Sequence, residues 1–593
     1  MRRIILLTVA GVIVLGSVAQ ALAMEPEPDA AALFPQTTVL YGEVSRPAEI
    51  LSAILSHPLR SKLESSASFR DATQTQPYRD FLTARKVFEI QMGMDWPEAV
   101  KAMTEGGVFA GFDAATNGVA LLVKGRDAAT MEQFRTRLLE MTRLGQPAEK
   151  RQQSEYRGIA AYKLENGGAA VVGKWLVVVN RPELGKAILD RLLDAGVSSG
   201  EATGESLAAS AEFQSARMAR RPAAALWAFA DLNAVRKDDH ARKQLTSPAV
   251  NPLAELLAGG IQSILQHAAS LTAEFTMGED ALQLSVRSPW NAKWIPEQRA
   301  WYFGSEQSQA PALPDVKHAL LTSGTWRDVS AMWLRSDDLF DENMQDQLAS
   351  ADNTLTTLFA GKDFGEDILA SFQPEIGLIV TRQDFSRVSP RPTIRLPAFA
   401  LILQLRDPDR MTRELRRTFQ SIIGFFNVVG AMEGRPQLEM DIEKFSGAEL
   451  ISSVYLAEPG EESSEDAEIY YNFSPSAGFS GSQFVLSSTR ELAREILQAD
   501  PVAAQPSGRP NSYLRLSAPV LRQVLEDNRD HLISQNMLEQ GHAQDEASAQ
   551  VSLLLGIVDW FEGAEVRLER TEDALRLQLD VSLRDDHKQT AIH

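Results

Sequence analysis

Lys174 to Asp190 reads K-W-L-V-V-V-N-R-P-E-L-G-K-A-I-L-D, and this stretch decides the fold. Trp175 to Val179 is an apolar run of strand length, Asn180 marks a turn, and Pro182 opens a helix, where a missing N–H costs nothing. The same pattern returns at Ser482 to Leu497, S-Q-F-V-L-S-S-T-R-E-L-A-R-E-I-L. Glu183-Leu184 aligns with Glu491-Leu492, and Ile188-Leu189 with Ile496-Leu497. The turn residues differ, Asn180-Arg181 against Ser488-Thr489, while the apolar positions persist. The stretch therefore reads as a packing centre and not as a catalytic site.

Other signatures repeat in the same order. Leu320 to Thr325 answers Val39 to Glu43, and Gly377 to Thr381 answers Val108 to Gly111. Ala400 to Leu405 with Arg406-Asp407 answers Ala120 to Arg126-Asp127, and Met411 answers Met131. Tyr513 to Leu516 answers Ala225 to Phe229, and Glu572-Asp573-Ala574-Leu575 answers Glu279-Asp280-Ala281-Leu282. The acidic stretch Glu458 to Glu468 falls in an interval that is longer in the second copy. Self-similarity at so long a period predicts two related lobes and not a solenoid, whose units are ~20–50 residues. Hairpin signals such as Asn117-Gly118 alternate with helical periodicity, and neighbouring strands often lack a crossover helix. The expected class is α+β, each lobe a mainly antiparallel sheet covered by helices, from an internal duplication.

The expected organisation assigns residues 1–23 to a signal peptide, 24–35 to a flexible tail and 36–287 to lobe 1. Residues 288–316 form a Pro/Trp-rich linker, 317–584 lobe 2 and 585–593 a flexible C-terminal tail. The leader has Arg2 and Arg3, an apolar Ile4 to Val18 and the site Ala21-Leu22-Ala23, the layout of a cleaved secretory signal. Export to the periplasm or the exterior follows; the alternative is tethering by an uncleaved N-terminal anchor. No later stretch is long and apolar enough to span a bilayer, so the mature form is expected not to be transmembrane. The linker carries Trp290, Trp294, Trp301, Tyr302 and Phe303, too much ring area for a free connector, so it should pack on the lobes.

With 593 residues, 44% hydrophobic and 23% charged, the chain can bury sizeable cores. It has no cysteine, which excludes disulfides, cysteine nucleophiles and cysteine zinc sites. A net charge of −20 disfavours nucleic acid and anionic membrane surfaces as partners.

No catalytic, cofactor-binding or metal-binding residue emerges, and no cofactor is expected. The eight histidines, His57, His240, His267, His318, His531, His542, His587 and His593, never take H-x-x-x-H spacing. His240 after Asp238-Asp239 and His587 after Asp585-Asp586 read as solvated clusters, and His267 as a helix-boundary residue. Gly478-Phe479-Ser480-Gly481-Ser482 lacks the last glycine of a nucleophile elbow and precedes a strand. Pairs such as Asp337-Asp338 are expected by chance among 79 acidic residues. Glu461 to Asp466 lacks the spacing of a calcium loop. The helix from Asp409, with Phe419, Ile422, Ile423, Phe425, Phe426, Val428 and Val429, is apolar around most of its girth and is expected to be buried.

Tyr156-Arg157-Gly158 leading to Tyr162, the run ending in Trp175-Leu176-Val177-Val178, and Asn180-Arg181-Pro182-Glu183-Leu184 carry a further likeness. With Ser206-Leu207-Ala208, Phe213 and Ala228 to Leu232, they resemble an uncharacterised family of exported bacterial proteins known only as a domain of unknown function, of cyanobacterial and planctomycete type. The resemblance covers most of lobe 1 and extends more weakly into lobe 2, where Gly447 stands for Gly158. It implies no activity. The leading expectation is an exported non-enzymatic envelope protein acting as a binding or scaffold module, its partner an unidentified protein or apolar ligand. The alternatives are a periplasmic carrier of a lipid or other apolar ligand, and a hydrolase whose site assembles only in the fold.

Overall fold

Strand-forming runs with few breaks give the chain a fold of antiparallel β-sheet and helices, an α+β architecture. The computed structural model describes residues 28–584 apart from 57–59, 62–63, 65–68, 70–72, 144–152, 165, 196–205, 458–466, 500–507 and 509. The leader, residues 197–204, whose Gly/Ser content reads as a loop signal, most of the acidic stretch and the C-terminal tail lie outside the described residues. Two compact units divide the chain: the first holds 1–61, 71–237 and 269–276, the second 62–70, 238–268 and 277–593.

The first unit contains β1 (Thr38–Val44), β2 (Gly107–Asp113), β3 (Gly118–Lys124), β4 (Gln153–Tyr156), β5 (Ile159–Leu164), β6 (Gly167–Val172), β7 (Trp175–Val179), β8 (Leu226–Asp231) and β9 (Ser270–Met277). Their spatial order is β4-β5-β6-β7-β3-β2-β1-β8-β9, antiparallel at every step. One face carries the core: Tyr41, Phe109, Leu122, Trp175, Val177, Trp227 and Phe229 pack against Leu184, Ile188 and Leu192 of the helix Pro182–Ala195. Phe213 sits in an edge-to-face cluster, its ring centroid 5.4 Å from Tyr41, 5.5 Å from Trp227 and 5.1 Å from Phe229.

Residues 28–35, expected to be loose, are not. Asp29 caps the short helix Ala30–Leu33, and Ala31, Leu33 and Phe34 are fully buried in this core. The apolar triplet outweighs the surrounding polar and proline residues once it has an aromatic cluster to join, Phe34 lying 5.4 Å from Tyr41.

The second unit contains β10 (Ala281–Pro289), β11 (Ala319–Trp326), β12 (Phe372–Thr381), β13 (Ala398–Leu405), β14 (Leu438–Phe445), β15 (Ala448–Tyr455), β16 (Ser476–Ser480), β17 (Gln483–Ser487), β18 (Ser512–Ser517), β19 (Phe561–Arg570) and β20 (Ala574–Leu583). Their order is β14-β15-β16-β17-β13-β12-β11-β18-β19-β20-β10, again antiparallel throughout. Ile379, Ala400, Ile402, Val485 and Tyr513 form a core with Leu492 and Ile496 of the helix Arg490–Gln498.

The Pro/Trp-rich segment is part of this second core. Trp301, Tyr302 and Phe303 are buried, as are Leu313 and Val316. Arg299 makes a two-pronged ion pair with Glu255 of the helix Pro252–Leu265, at 2.7 and 2.9 Å, and Arg327 lies 3.6 Å over the Tyr302 ring. Tyr302 approaches that helix so closely that a Cβ on Gly260 would stand 2.3 Å from its ring.

Two tests follow from this packing. Gly260→Ala forces Tyr302 and Phe303 outward and is expected to cost about 2 kcal/mol, seen as a lower urea midpoint. Burial pushes the Tyr513 hydroxyl, which donates to the Pro311 carbonyl at 3.0 Å, up to about 12. The unfolded chain releases that proton near 10, so its contribution is complete below pH 10 and is lost as pH rises towards about 12. Tyr513→Phe should flatten that alkaline loss when urea midpoints are compared across the window.

Candidate functional site

The first unit's sheet is apolar on both faces. Side chains alternate along a strand, so the residues between the core positions form a second face in three rows. One row runs Val178, Leu121, Ala110, Gly42, Ala228 and Ala273. Beside it run Val119, Phe112, Leu40, Ala230 and Leu271 on one flank. Leu176, Val123, Val108, Val44, Leu226 and Phe275 form the other.

The middle row is small where its neighbours are large. Gly42, Ala110, Ala228 and Ala273 form the floor of a groove, with Leu40, Phe112, Val119 and Leu271 on its wall. Its volume is about 430 Å³, within the range of small-molecule sites. A Cβ built on Gly42 meets nothing within 4 Å, so this glycine faces open space and is not forced by packing. Among the described residues no carboxylate, histidine or lysine lines the groove, and its surface can bind an apolar group.

The second unit carries the corresponding rows, but its middle row runs Leu486, Leu401, Leu378, Ser323, Leu514, Val566, Leu579 and Leu284. Leucine and valine stand where the first unit has alanine. The groove belongs to the first unit's side-chain choice, not to the strand order.

Directly beneath Gly42 the same strand is anchored by charge. Glu43 is 5% exposed and pairs with Arg220. It also accepts hydrogen bonds from the Tyr41 hydroxyl and the Ser45 hydroxyl, each at 3.0 Å. Burial, and then the neighbouring Glu43 carboxylate, hold the Tyr41 hydroxyl well above its ordinary value, so it stays a donor.

A second cleft, about 770 Å³, lies in the second unit and includes Lys317, His318, Arg382, Asn472, Arg490 and Glu491. Its arginines are turned to the protein. Arg382 grips Asp527 at 2.6 and 2.8 Å, and Arg490 and Arg494 both bind Glu443. Asn472 spends its amide on the Ile394 and Ile469 carbonyls and the Leu396 N–H.

The residues weighed for chemistry are scattered. Asp238 caps the helix Asp239–Thr246 through the Ala241 N–H, and His240 on that helix meets Gln244. His267 contacts the Ser263 carbonyl at 2.9 Å and stacks on Trp294. Ser480 to Ser482 turns between β16 and β17, with Gly481 in the left-handed region at φ +56°. Asp338 pairs with Arg335 at 3.4 Å. No group of three histidine or carboxylate residues able to hold a metal occurs among the described residues, and no described helix is long and apolar enough to cross a membrane.

One expectation is overturned. The helix Pro408–Met432 is not buried around its girth: Met411, Leu415, Phe419 and Ile423 are buried, but Phe425, Phe426, Val428 and Met432 are exposed. The core ends before the helix does, so in its last two turns only Asn427, bonded to Leu438, and the buried Gly430 are held against the protein. Nothing in the strand sequences marked the groove either, because Gly42, Ala110 and Ala228 look like ordinary strand residues; three rows appear only once the register is fixed.

No family model matches the chain, and no curated protein matches it. Among solved structures it is similar to crystal form IV of TP0453, at 12% identity and TM-score 0.23 over 44% of this chain and 80% of that one. Crystal form I of TP0453 matches at 10% identity and TM-score 0.24, over 45% and 81%.

The anchor beneath the groove can be checked directly. Glu43→Ala leaves Arg220 without its buried counter-charge and is expected to cost about 3 kcal/mol. The double change Glu43→Met with Arg220→Met should recover part of that loss, read from urea unfolding of both variants.

Proposed function

We propose that this chain is an exported, non-enzymatic binding protein of the cell envelope, and that its ligand is an apolar chain or ring held in the first unit's groove. The single observation behind this reading is the small-residue floor beside a wall of larger apolar residues, Leu40, Phe112, Val119 and Leu271. A sheet face offers no free backbone hydrogen bonds, so the groove suits a ligand that needs none. Hydrophobic contact alone would hold it, at ~25 cal/mol per Å² of apolar surface removed from water. The basic, apolar and small-residue segments of residues 1–23 support export.

We also infer that the two units descend from one ancestral unit by duplication. What supports this is the strand order: adding ten to each strand number of β4-β5-β6-β7-β3-β2-β1-β8-β9 gives β14-β15-β16-β17-β13-β12-β11-β18-β19. On this reading one copy kept or acquired the groove while the other filled it with leucine.

The binding reading is tested with the fluorescent apolar probe N-phenyl-naphthylamine. The wild type should bind it saturably, and Gly42→Leu with Ala228→Leu should weaken binding roughly tenfold or more by occupying the floor. Because Gly42 faces open space, urea midpoints should change little. Equal binding by both proteins would remove the groove as the site.

A further inference from the structure

The helix Pro408–Met432 ends in an apolar tip that stands clear of the core. Ile423 is fully buried, and Asn427 fixes the helix to β14 through the Leu438 N–H at 2.7 Å and the Leu438 carbonyl at 2.9 Å. Around that anchor Phe425 is 59% exposed, Phe426 49%, Val428 63% and Met432 83%. Two phenylalanines, a valine and a methionine on one short stretch of surface is not a solvated helix end.

The same helix carries the complementary charge. At 3.6 residues per turn, Arg410, Arg413, Arg417 and Val428 fall on one face. Arg413 and Arg417 are exposed and have no ion pair among the described residues. Arg416, on another face, is already committed to Glu449 at 2.6 Å. Glu433, just past the tip, is matched by Arg435 at 2.6 Å. A basic stripe thus leads into a bare apolar end, with Arg417 about 16 Å before Val428 along the axis.

We propose that this tip docks into the surface of an anionic phospholipid bilayer: exposed charges more than about 8–10 Å away are largely screened at physiological salt, so the arginines beside the tip, and not the net charge of −20, govern the contact. Phe425, Phe426, Val428 and Met432 enter the acyl boundary, to the ~5–10 Å typical of interfacial helices. With the helix inclined, Arg413 and Arg417 extend to lipid phosphates on long side chains. The apolar tip offers roughly 450 Å², short of the ~800 Å² per partner that a stable protein interface buries. That favours a lipid surface over a protein, and it does not depend on what fills the groove in the first unit.

The chain has no cysteine, so Val428→Cys gives a single attachment point for bimane in the otherwise unchanged full-length protein. Mixed with vesicles of equimolar phosphatidylcholine and phosphatidylglycerol, the label should shift to the blue and be quenched by nitroxide-bearing lipid. Pure phosphatidylcholine vesicles should give a much smaller response. Arg413→Gln with Arg417→Gln, in the labelled chain, should require roughly tenfold more mixed vesicle for the same shift. Both arginines are exposed, so the fold is expected to tolerate these changes. A label that stays solvent-like with mixed vesicles overturns the proposal, as does an equal response to both vesicle types or in the arginine variant. A blue shift that appears with rising protein concentration and no lipid would instead assign the tip to a second copy of this chain.

Discussion

The second unit depends on one buried guanidinium. Arg327 is almost fully enclosed, and its partners are the carbonyls of Leu256, Tyr302 and Trp326 and the side-chain oxygen of Asn511. Those four oxygens come from a helix, the Pro/Trp-rich segment, the end of β11 and the residue before β18. Burying a cation costs several kcal/mol unless its donors are satisfied, and here carbonyl dipoles and the Tyr302 ring take the place of a carboxylate. If any one of these segments moves, the charge loses a partner. Arg299 fixes the same segment to the same helix through Glu255, and Gly260 lets Tyr302 lie against it. A stretch that reads as a linker is therefore what holds its unit together.

Much of the architecture was legible because strand and helix periods are properties of short windows. The strand, turn and helix around Trp175 and Pro182 stand where the residue pattern puts them, and so does the hairpin that Asn117-Gly118 signals, which joins β2 to β3. What escaped depends on tertiary register. Asn180 and Ser488 look unrelated, and the sequence suggests that nothing polar was kept at that turn. In space the Asn180 side-chain oxygen accepts the Val119 N–H at 2.7 Å, and the Ser488 hydroxyl oxygen accepts the Phe399 N–H at 2.8 Å. In each case the residue's own N–H returns the bond to the same partner's carbonyl. An amide and a hydroxyl perform one task, which no residue-by-residue alignment would reveal.

The helix Pro408–Met432 shows the opposite failure. Its composition predicts burial, since apolar residues around a helix normally mean a core on every side. Composition does not say how far a core extends, however, and this one ends near Ile423. The groove was hidden for a related reason. An alanine or glycine in a strand carries no signal of its own, and it becomes a floor only when its neighbours across the sheet are leucine and phenylalanine.

Along β1, neighbouring residues answer to different demands. Tyr41 and Glu43 point into the packed face, where aromatic contacts and an ion pair leave them little freedom. Gly42 between them points the other way, into space. Changes at Gly42, Ala110 or Ala228 can therefore alter the width of the trough by one methyl group at a time without being registered by the core behind it. Such a sheet separates the evolution of selectivity from that of stability. On the proposed binding reading, a lineage could broaden or narrow its ligand range through a few small-residue exchanges while the scaffold stayed unchanged.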